Sequence, residues 1–426
     1  MVFKIYVRKC LVEYDFHRLF TRHKATLESV AVTYPLSSDE DESRFPASVN
    51  KLGCDLKELP NLTYFRMFAA FRSCIPASFL QTLVQSDNLR TLLLQCSTID
   101  FGDKPLSCSQ LERISIHENA PFKVNSADQA INLSGLDRLK AVRVWSRRSL
   151  ILPIDNSALV ALDIREVLSL KYQESLTLEV LKAEDCPVAM VKTVILQSEN
   201  IRQLTITYTS CTDLKKFSVD ATEMNYLSLC NVVLEHILCS ATKPLTALSL
   251  SNVKLRREMS LDELIFTKSL CLAYTTPSRP ASILARISPA ALKSLVVGRE
   301  RQGDAGLTAL DEEAWLILTG IMGSLEVFGT FAPIKSLPQM PKLKCLGIYC
   351  EEQLLLKSPM PRRLHLGLCS SSMDDRSLFT KIPSHYILGK VIASTARYNT
   401  EHVFWEAMNE RKDILDFKPF SFDWTS

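Results

Sequence analysis

The side chains in this chain best equipped for chemistry are cations set beside aromatics. Arg113, Arg143, Arg165 and Lys182 each stand inside or just after a short apolar phrase, and Trp145 follows Arg143 by two residues. A guanidinium carries five N–H donors in a fork that matches carboxylate and phosphate oxygens, and an indole face attracts cations, so this set is equipped to hold an anionic group. Asp163 and Glu184 are the acids interspersed among them. Farther along, equivalent places hold Tyr226, Phe331 and Tyr349, aromatics of the kind enriched where proteins meet.

Catalytic constellations are missing. The seven histidines include no HExxH and no pair with cysteine at metal-ligand spacing, and no GxSxG elbow occurs. Gly298, Gly303 and Gly306 sit in GRERQGDAG, which lacks the GK[ST] that supplies a phosphate loop with its cation and metal ligand. No catalytic, cofactor-binding or metal-ligating residue is assigned, and the expected function is non-enzymatic binding.

Composition narrows the partner. Lys plus Arg number 50 against 47 Asp plus Glu in 426 residues, a net charge of +3 that excludes a generic nucleic-acid binder or a polybasic membrane-surface protein. With 46% hydrophobic and 23% charged residues the chain is of folded type. Its 13 cysteines are scattered without a CxxC, several of them inside apolar runs, as Cys230 and Cys271 are, which reads as reduced thiol in the cytoplasm or nucleus. Lys4, Arg8 and Lys9 interrupt the first residues where a signal peptide needs an apolar stretch, and no run approaches the ~18 apolar residues of a membrane span.

The elements that must position these residues repeat. The phrase LxxLxL, with any aliphatic or aromatic at the L places, is clearest as LERISI from Leu111, LKAVRV from Leu139, LVALDI from Leu159, IRQLTI from Ile201, LTALSL from Leu245, LKSLVV from Leu292 and LKCLGI from Leu343. Looser copies start at 2, 27, 62, 89, 178, 224, 267, 325 and 361, which gives sixteen starts about 24 residues apart. Side chains alternate along a strand, so one set of apolar positions in each phrase faces inward while the third, fifth and seventh residues face out. Two segments led by proline, PASFLQTLV from Pro76 and PVAMVKTVIL from Pro187, carry helical stripes, as does the stretch behind Asp311. Each unit is therefore a strand, a turn, and a short helix or irregular return.

This pattern resembles the leucine-rich-repeat superfamily over roughly residues 2–370. The resemblance implies an α/β solenoid: a parallel sheet on the concave side, short helices and irregular turns on the convex side. The Asn or Cys usual at the ninth place is clear only at Asn119, Cys186 and Cys369. The irregular spacing is most similar to the recognition arms of F-box/leucine-rich-repeat proteins, although no F-box-like segment occurs in this sequence. That likeness implies a protein partner bound on the concave face and a place as the substrate-recognition subunit of an SCF-type ubiquitin ligase. An end-to-end structural scaffold is the alternative, and an enzyme with a site on convex loops is a third reading.

The expected organisation is one solenoid over residues 1–378, with an acidic loop inserted at 37–45 (Ser37 and Ser38 being phosphorylation candidates), and a C-terminal helical cap with an aromatic tail over 379–426. The first phrase begins at Val2, so the chain is expected to start inside its repeats. On the outward face through residue 184 the positions hold Lys4, Arg8, Arg66, Arg113, Arg143, Arg165 and Lys182 against Asp163 and Glu184. Two readings stay open. Arg143, Asp163 and Lys182 in one row, and Trp145, Arg165 and Glu184 in the next, could form a ladder of ion pairs, or the surplus of bases could form a binding patch for an acidic or phosphorylated segment.

Overall fold

The computed structural model describes residues 2–6, 16–34, 39–69, 74–102, 104–108, 110–118, 130–173, 176–238, 245–257, 267–273, 284–285, 287–288, 290–297, 312–330, 340–350, 365–370 and 387–388. Every copy of the apolar phrase becomes a strand, and in fourteen of the sixteen copies that strand begins at the third residue. The chain divides into two compact units, Met1–Ile201 and Arg202–Ser426.

In the first unit the strands Val2–Tyr6, Ser29–Tyr34, Tyr64–Ala69, Thr91–Cys96, Arg113–Glu118, Ala141–Trp145, Ala161–Arg165 and Val180–Glu184 pair in that order, all parallel and without a register slip. The second unit stacks Gln203–Asp213, Tyr226–Leu234, Ala247–Leu255, Ser269–Ala273, Ser294–Val297, Val327–Thr330, Cys345–Cys350, His365–Ser370 and Ile387–Leu388 in parallel as well, with one register shift in its first pair, between Thr207 and Thr212. Each unit is a parallel-sheet solenoid. Equivalent positions stack into columns, so a leucine that no single turn could bury is covered by its counterparts on either side. The first-place residues are buried in each unit, from Leu27 to Leu178 in the first and from Met224 to Leu343 in the second, as are the fourth- and sixth-place pairs such as Val142 with Val144 and Leu248 with Leu250. Each such side chain contributes about 1.5–3 kcal/mol by leaving water.

The return path is mixed. Ile131–Asn132, Ser149–Ile151 and Ser169–Lys171 form a small parallel sheet of their own, and Cys74–Ile75 with Thr98–Ile99, and Ser218–Asp220 with His236–Leu238, form shorter ones. Helices are few among the described residues: Phe16–His23, Asp39–Lys57, Ala77–Leu83, Val188–Leu196 and Glu312–Ile321. Both proline-led segments are helical, with Pro76 and Pro187 at the N-cap, where the missing N–H costs nothing. Phe79, Leu80 and Leu83 in one, and Val191 and Val194 in the other, face inward. Gly53 lets the helix Asp39–Lys57 approach Ala77–Leu83, because a Cβ there would lie 2.8 Å from the Phe79 ring.

Three expectations change. Most of the acidic segment at 37–45 is not a loop: the helix starts at Asp39, where carboxylates favour a helix N-terminus, and Val49, Leu52 and Leu56 anchor its far end in the core. Ser37 and Ser38 lie outside the described residues. The last phrase is displaced, since His365 pairs with Cys345 and Cys369 with Tyr349, so the phrase begins at Arg363 and Cys369 occupies its seventh place rather than its ninth. Ile387–Leu388 is a strand paired with His365–Leu366, not part of a helical stripe. The rest of the cap expected over 379–426 lies outside the described residues, as do Arg8, Asn119 and Phe331.

Four repeats share a backbone device at the eighth place. Glu166, Asp185, Asn231 and Asn252, the eighth residues of their repeats, adopt positive φ of 58°, 51°, 56° and 50°. This left-handed step follows the last strand residue at Glu166 and Asp185 and falls inside the strands Tyr226–Leu234 and Ala247–Leu255 at Asn231 and Asn252, and Asn and Asp tolerate it better than most residues. Cys186, at the ninth place, is buried with its thiol directed at the carbonyls of Glu184 (3.4 Å) and Ile164 (3.7 Å).

Candidate functional site

The outward face of the first unit gathers its charged residues into two rows. The fifth-place row runs Arg66, Leu93, Ser115, Arg143, Asp163, Lys182, and the seventh-place row runs Phe68, Gln95, His117, Trp145, Arg165, Glu184. Both trios expected from the sequence stand on adjacent strands in the expected order. Arg113 lies in a third row, opposite Ala141. Strand spacing is ~4.8 Å, so charges on neighbouring strands are within direct reach.

Contacts follow that register. Arg143 Nε donates to Asp163 Oδ2 at 2.8 Å, and Trp145 Nε1 reaches Asp163 Oδ1 at 3.5 Å. Arg165 Nη1 meets Glu184 at 3.4 Å. The indole of Trp145 is the common centre: Arg165 Cζ lies 5.6 Å from its centroid, Arg143 Cζ 5.8 Å and Lys182 Nζ 6.0 Å. His117 packs its ring edge against the indole, with centroids 4.6 Å apart and planes at 73°. Arg143 and Arg165 retain 30% and 38% side-chain exposure while Asp163 and Glu184 retain 14% and 13%, so the cations stand above the carboxylates that hold them.

The field of this cluster is visible in His117. Burial depresses its basicity, and the guanidinium groups of Arg165 and Arg143 depress it further, holding the imidazole neutral below its ordinary range. Chemically, the arrangement can clamp an anion in a partly desolvated setting. The side chains are fixed in advance by their carboxylates and by the indole, which lowers the entropy lost when a ligand orders them.

Beneath the rim sits a pair that sequence reading missed. Arg148 meets Glu118 at 3.2 Å, Glu118 accepts from the Ile99 N–H at 2.8 Å, Arg148 donates to the Ile99 carbonyl at 3.0 Å, and the Ser146 hydroxyl also bonds Glu118. In SRRSL the two arginines look alike, yet Arg147 is exposed and pairs with Glu166 while Arg148 is buried. Only their places relative to the strand end distinguish them.

The aromatics expected farther along do not join this cluster. Tyr226 is a half-buried third-place residue between Gln203 and Ala247, and burial raises its phenol above the ordinary range. Tyr349 stands five strands beyond it, opposite Cys369. The fifth-place row there holds Thr205, Ser228, Ser249, Cys271, Val296 and Gly329 and carries no charge. The same unit contains an amide ladder that searching the ninth place could not find: Asn231 Nδ2 donates to the Tyr208 carbonyl, and Asn252 Nδ2 donates to Asn231 Oδ1 at 2.7 Å.

Among the described residues no group of three His, Cys, Asp or Glu side chains could hold a metal ion, and no helix is long and apolar enough to cross a membrane. No protein-family model matches the chain, and no curated protein is similar to it.

Proposed function

We propose that this chain is a non-enzymatic interaction protein of leucine-rich-repeat type, working in the cytoplasm or nucleus, whose first-unit sheet face receives an acidic segment of a partner protein. The observation that carries the reading is the convergence of Arg143, Arg165 and Lys182 on the Trp145 indole, within 6.0 Å in each case. Exposed ion pairs contribute only ~0–1 kcal/mol to stability, so folding alone gives little reason to assemble such a group. The irregular repeats support a narrower role as the recognition arm of an SCF-type ubiquitin ligase. That role predicts a stable complex with a reconstituted ligase core in size-exclusion chromatography, and co-elution failing at micromolar concentration removes it.

The test of the main reading is fluorescence anisotropy with a labelled oligoglutamate peptide. The full chain should bind it, more weakly as salt rises, and the Arg165→Gln/Lys182→Gln variant should lose at least about ten-fold in affinity while melting close to the parent. Equal binding by parent and variant overturns the assignment of this face.

A further inference from the structure

We infer that the group received over Trp145 is a phosphate monoester on a serine or threonine side chain of the partner, rather than a carboxylate; this rests on the proposed binding face. From the strand Tyr64–Ala69 to the strand Val180–Glu184 the outward positions hold Arg66, Arg113, Arg143, Arg165 and Lys182 against Asp163 and Glu184, an excess of three positive charges. Three carboxylates already engage the guanidinium groups: Asp163 at Arg143 Nε, Glu184 at Arg165 Nη1 and, at 3.9 Å, Glu166 at Arg165 Nε. Carboxylate recognition is thus satisfied internally, and a further carboxylate would compete for donors against acids that are already in place.

A phosphate monoester differs in kind. It carries about −1.5 to −2 charge and three acceptor oxygens, so one group can meet several cations at once. The cluster offers cations from three neighbouring strands around one centre: Arg143 from Ala141–Trp145, Arg165 from Ala161–Arg165 and Lys182 from Val180–Glu184. Arg165 keeps the N–H groups of its fork beyond its contacts with Glu184 at 3.4 Å and Glu166 at 3.9 Å, and the Lys182 ammonium lies over the indole. His117 stands at the edge of the same ring as a further donor once protonated. The groups facing it are Trp145 and Arg143 from one strand, Arg165 and Asp163 from the next, uncharged Gln95 on the other side, and Arg113 and Glu118 on its own strand. A bound phosphate would offset the two guanidinium charges that hold the imidazole neutral.

The patch suits a modified peptide rather than a polynucleotide. It spans three strands, about 10 Å at ordinary sheet spacing, enough for one or two phosphates. Leu93 and Ser115 interrupt the fifth-place row on one side, so no cationic track continues along the face.

The experiment uses the full chain and degenerate twelve-residue peptides whose central residue is phosphoserine, phosphothreonine, glutamate or serine, read by anisotropy at fixed salt. Phosphopeptides should bind at least ten-fold tighter than the glutamate set, and millimolar inorganic phosphate should displace them. Lys182→Gln and Arg165→Gln should each abolish that preference while leaving the thermal melt near the parent's. In histidine-labelled protein, the His117 titration midpoint should rise on saturation with the phosphopeptide and stay put with the serine peptide. Equal affinity for the phosphorylated and glutamate sets overturns the phosphate inference and leaves the acidic-partner reading standing, whereas no binding of any set overturns both. Tighter binding of single-stranded oligouridylate than of the phosphopeptides replaces the peptide with a nucleic acid.

Discussion

Arg148 and Glu118 meet at 3.2 Å with side chains only 6% and 7% exposed, and both also bond the backbone of Ile99. The pair ties the end of strand Arg113–Glu118 to the turn after Trp145 and to the short strand Thr98–Ile99. Removing one partner of a buried pair leaves the other charged and unsolvated, at a cost of about 3–5 kcal/mol. Arg148→Met should therefore lower the urea midpoint markedly and expose the Ile99 amide to hydrogen exchange, and Glu118→Gln added to it should restore part of the loss. An Arg148→Met protein that unfolds with the parent would show that the pair is not holding these turns together.

The sheet was legible because its signal is repeated: a single LxxLxL is weak, but copies in register put Leu139, Leu159 and Leu178 in one buried column. Parallel stacking then placed Arg143, Asp163 and Lys182 side by side with no further information. The Arg148–Glu118 pair was not legible, because an arginine beside a turn reads as solvated and its burial depends on a strand from a third turn. Helix Asp39–Lys57 was hidden by its acidic start, which looks like a loop until the apolar spacing of Val49, Leu52 and Leu56 is weighed with it. The asparagine ladder escaped because it occupies the eighth place, where the left-handed turn falls, and not the ninth.

Thr267 fills a leucine place with none of its surface exposed, and its hydroxyl oxygen has no hydrogen-bond partner among the described residues. Valine has nearly the same shape without the polar atom. Thr267→Val should raise stability by about 1–2 kcal/mol, the desolvation penalty of an unsatisfied hydroxyl. A midpoint in urea at or below the parent's would mean that this hydroxyl is satisfied in solution.

Thiol reactivity should follow burial. Desolvation pushes the Cys186 thiol up to about 12, and Cys96 is also raised well above its ordinary value, while Cys54 and Cys211 are exposed. The thiolate is the reactive form, so at pH 8 only a tiny fraction of Cys186 can attack. Brief iodoacetamide treatment followed by peptide mass mapping should show Cys54 and Cys211 alkylated, with Cys96 and Cys186 labelled only after denaturant. Early labelling of Cys186 would contradict its placement under the strand end.

Asn252 combines two roles that separate substitutions can divide. Its φ of 50° is strained for a residue with a branched or hydrocarbon Cβ, and its amide donates to Asn231 at 2.7 Å. Asn252→Gly keeps the backbone comfortable and loses only the hydrogen bond, a cost of about 0.5–1.5 kcal/mol. Asn252→Ala loses the same bond and adds about 1–2 kcal/mol of left-handed strain. The alanine variant should therefore unfold at distinctly lower urea than the glycine variant, with both below the parent. Asn252→Asp should fall lower than glycine as well, because its carboxylate turns an acceptor toward the Asn231 carbonyl oxygen where the amide had placed a donor. If alanine and glycine are indistinguishable, Asn252 is not held in the left-handed conformation within the strand Ala247–Leu255.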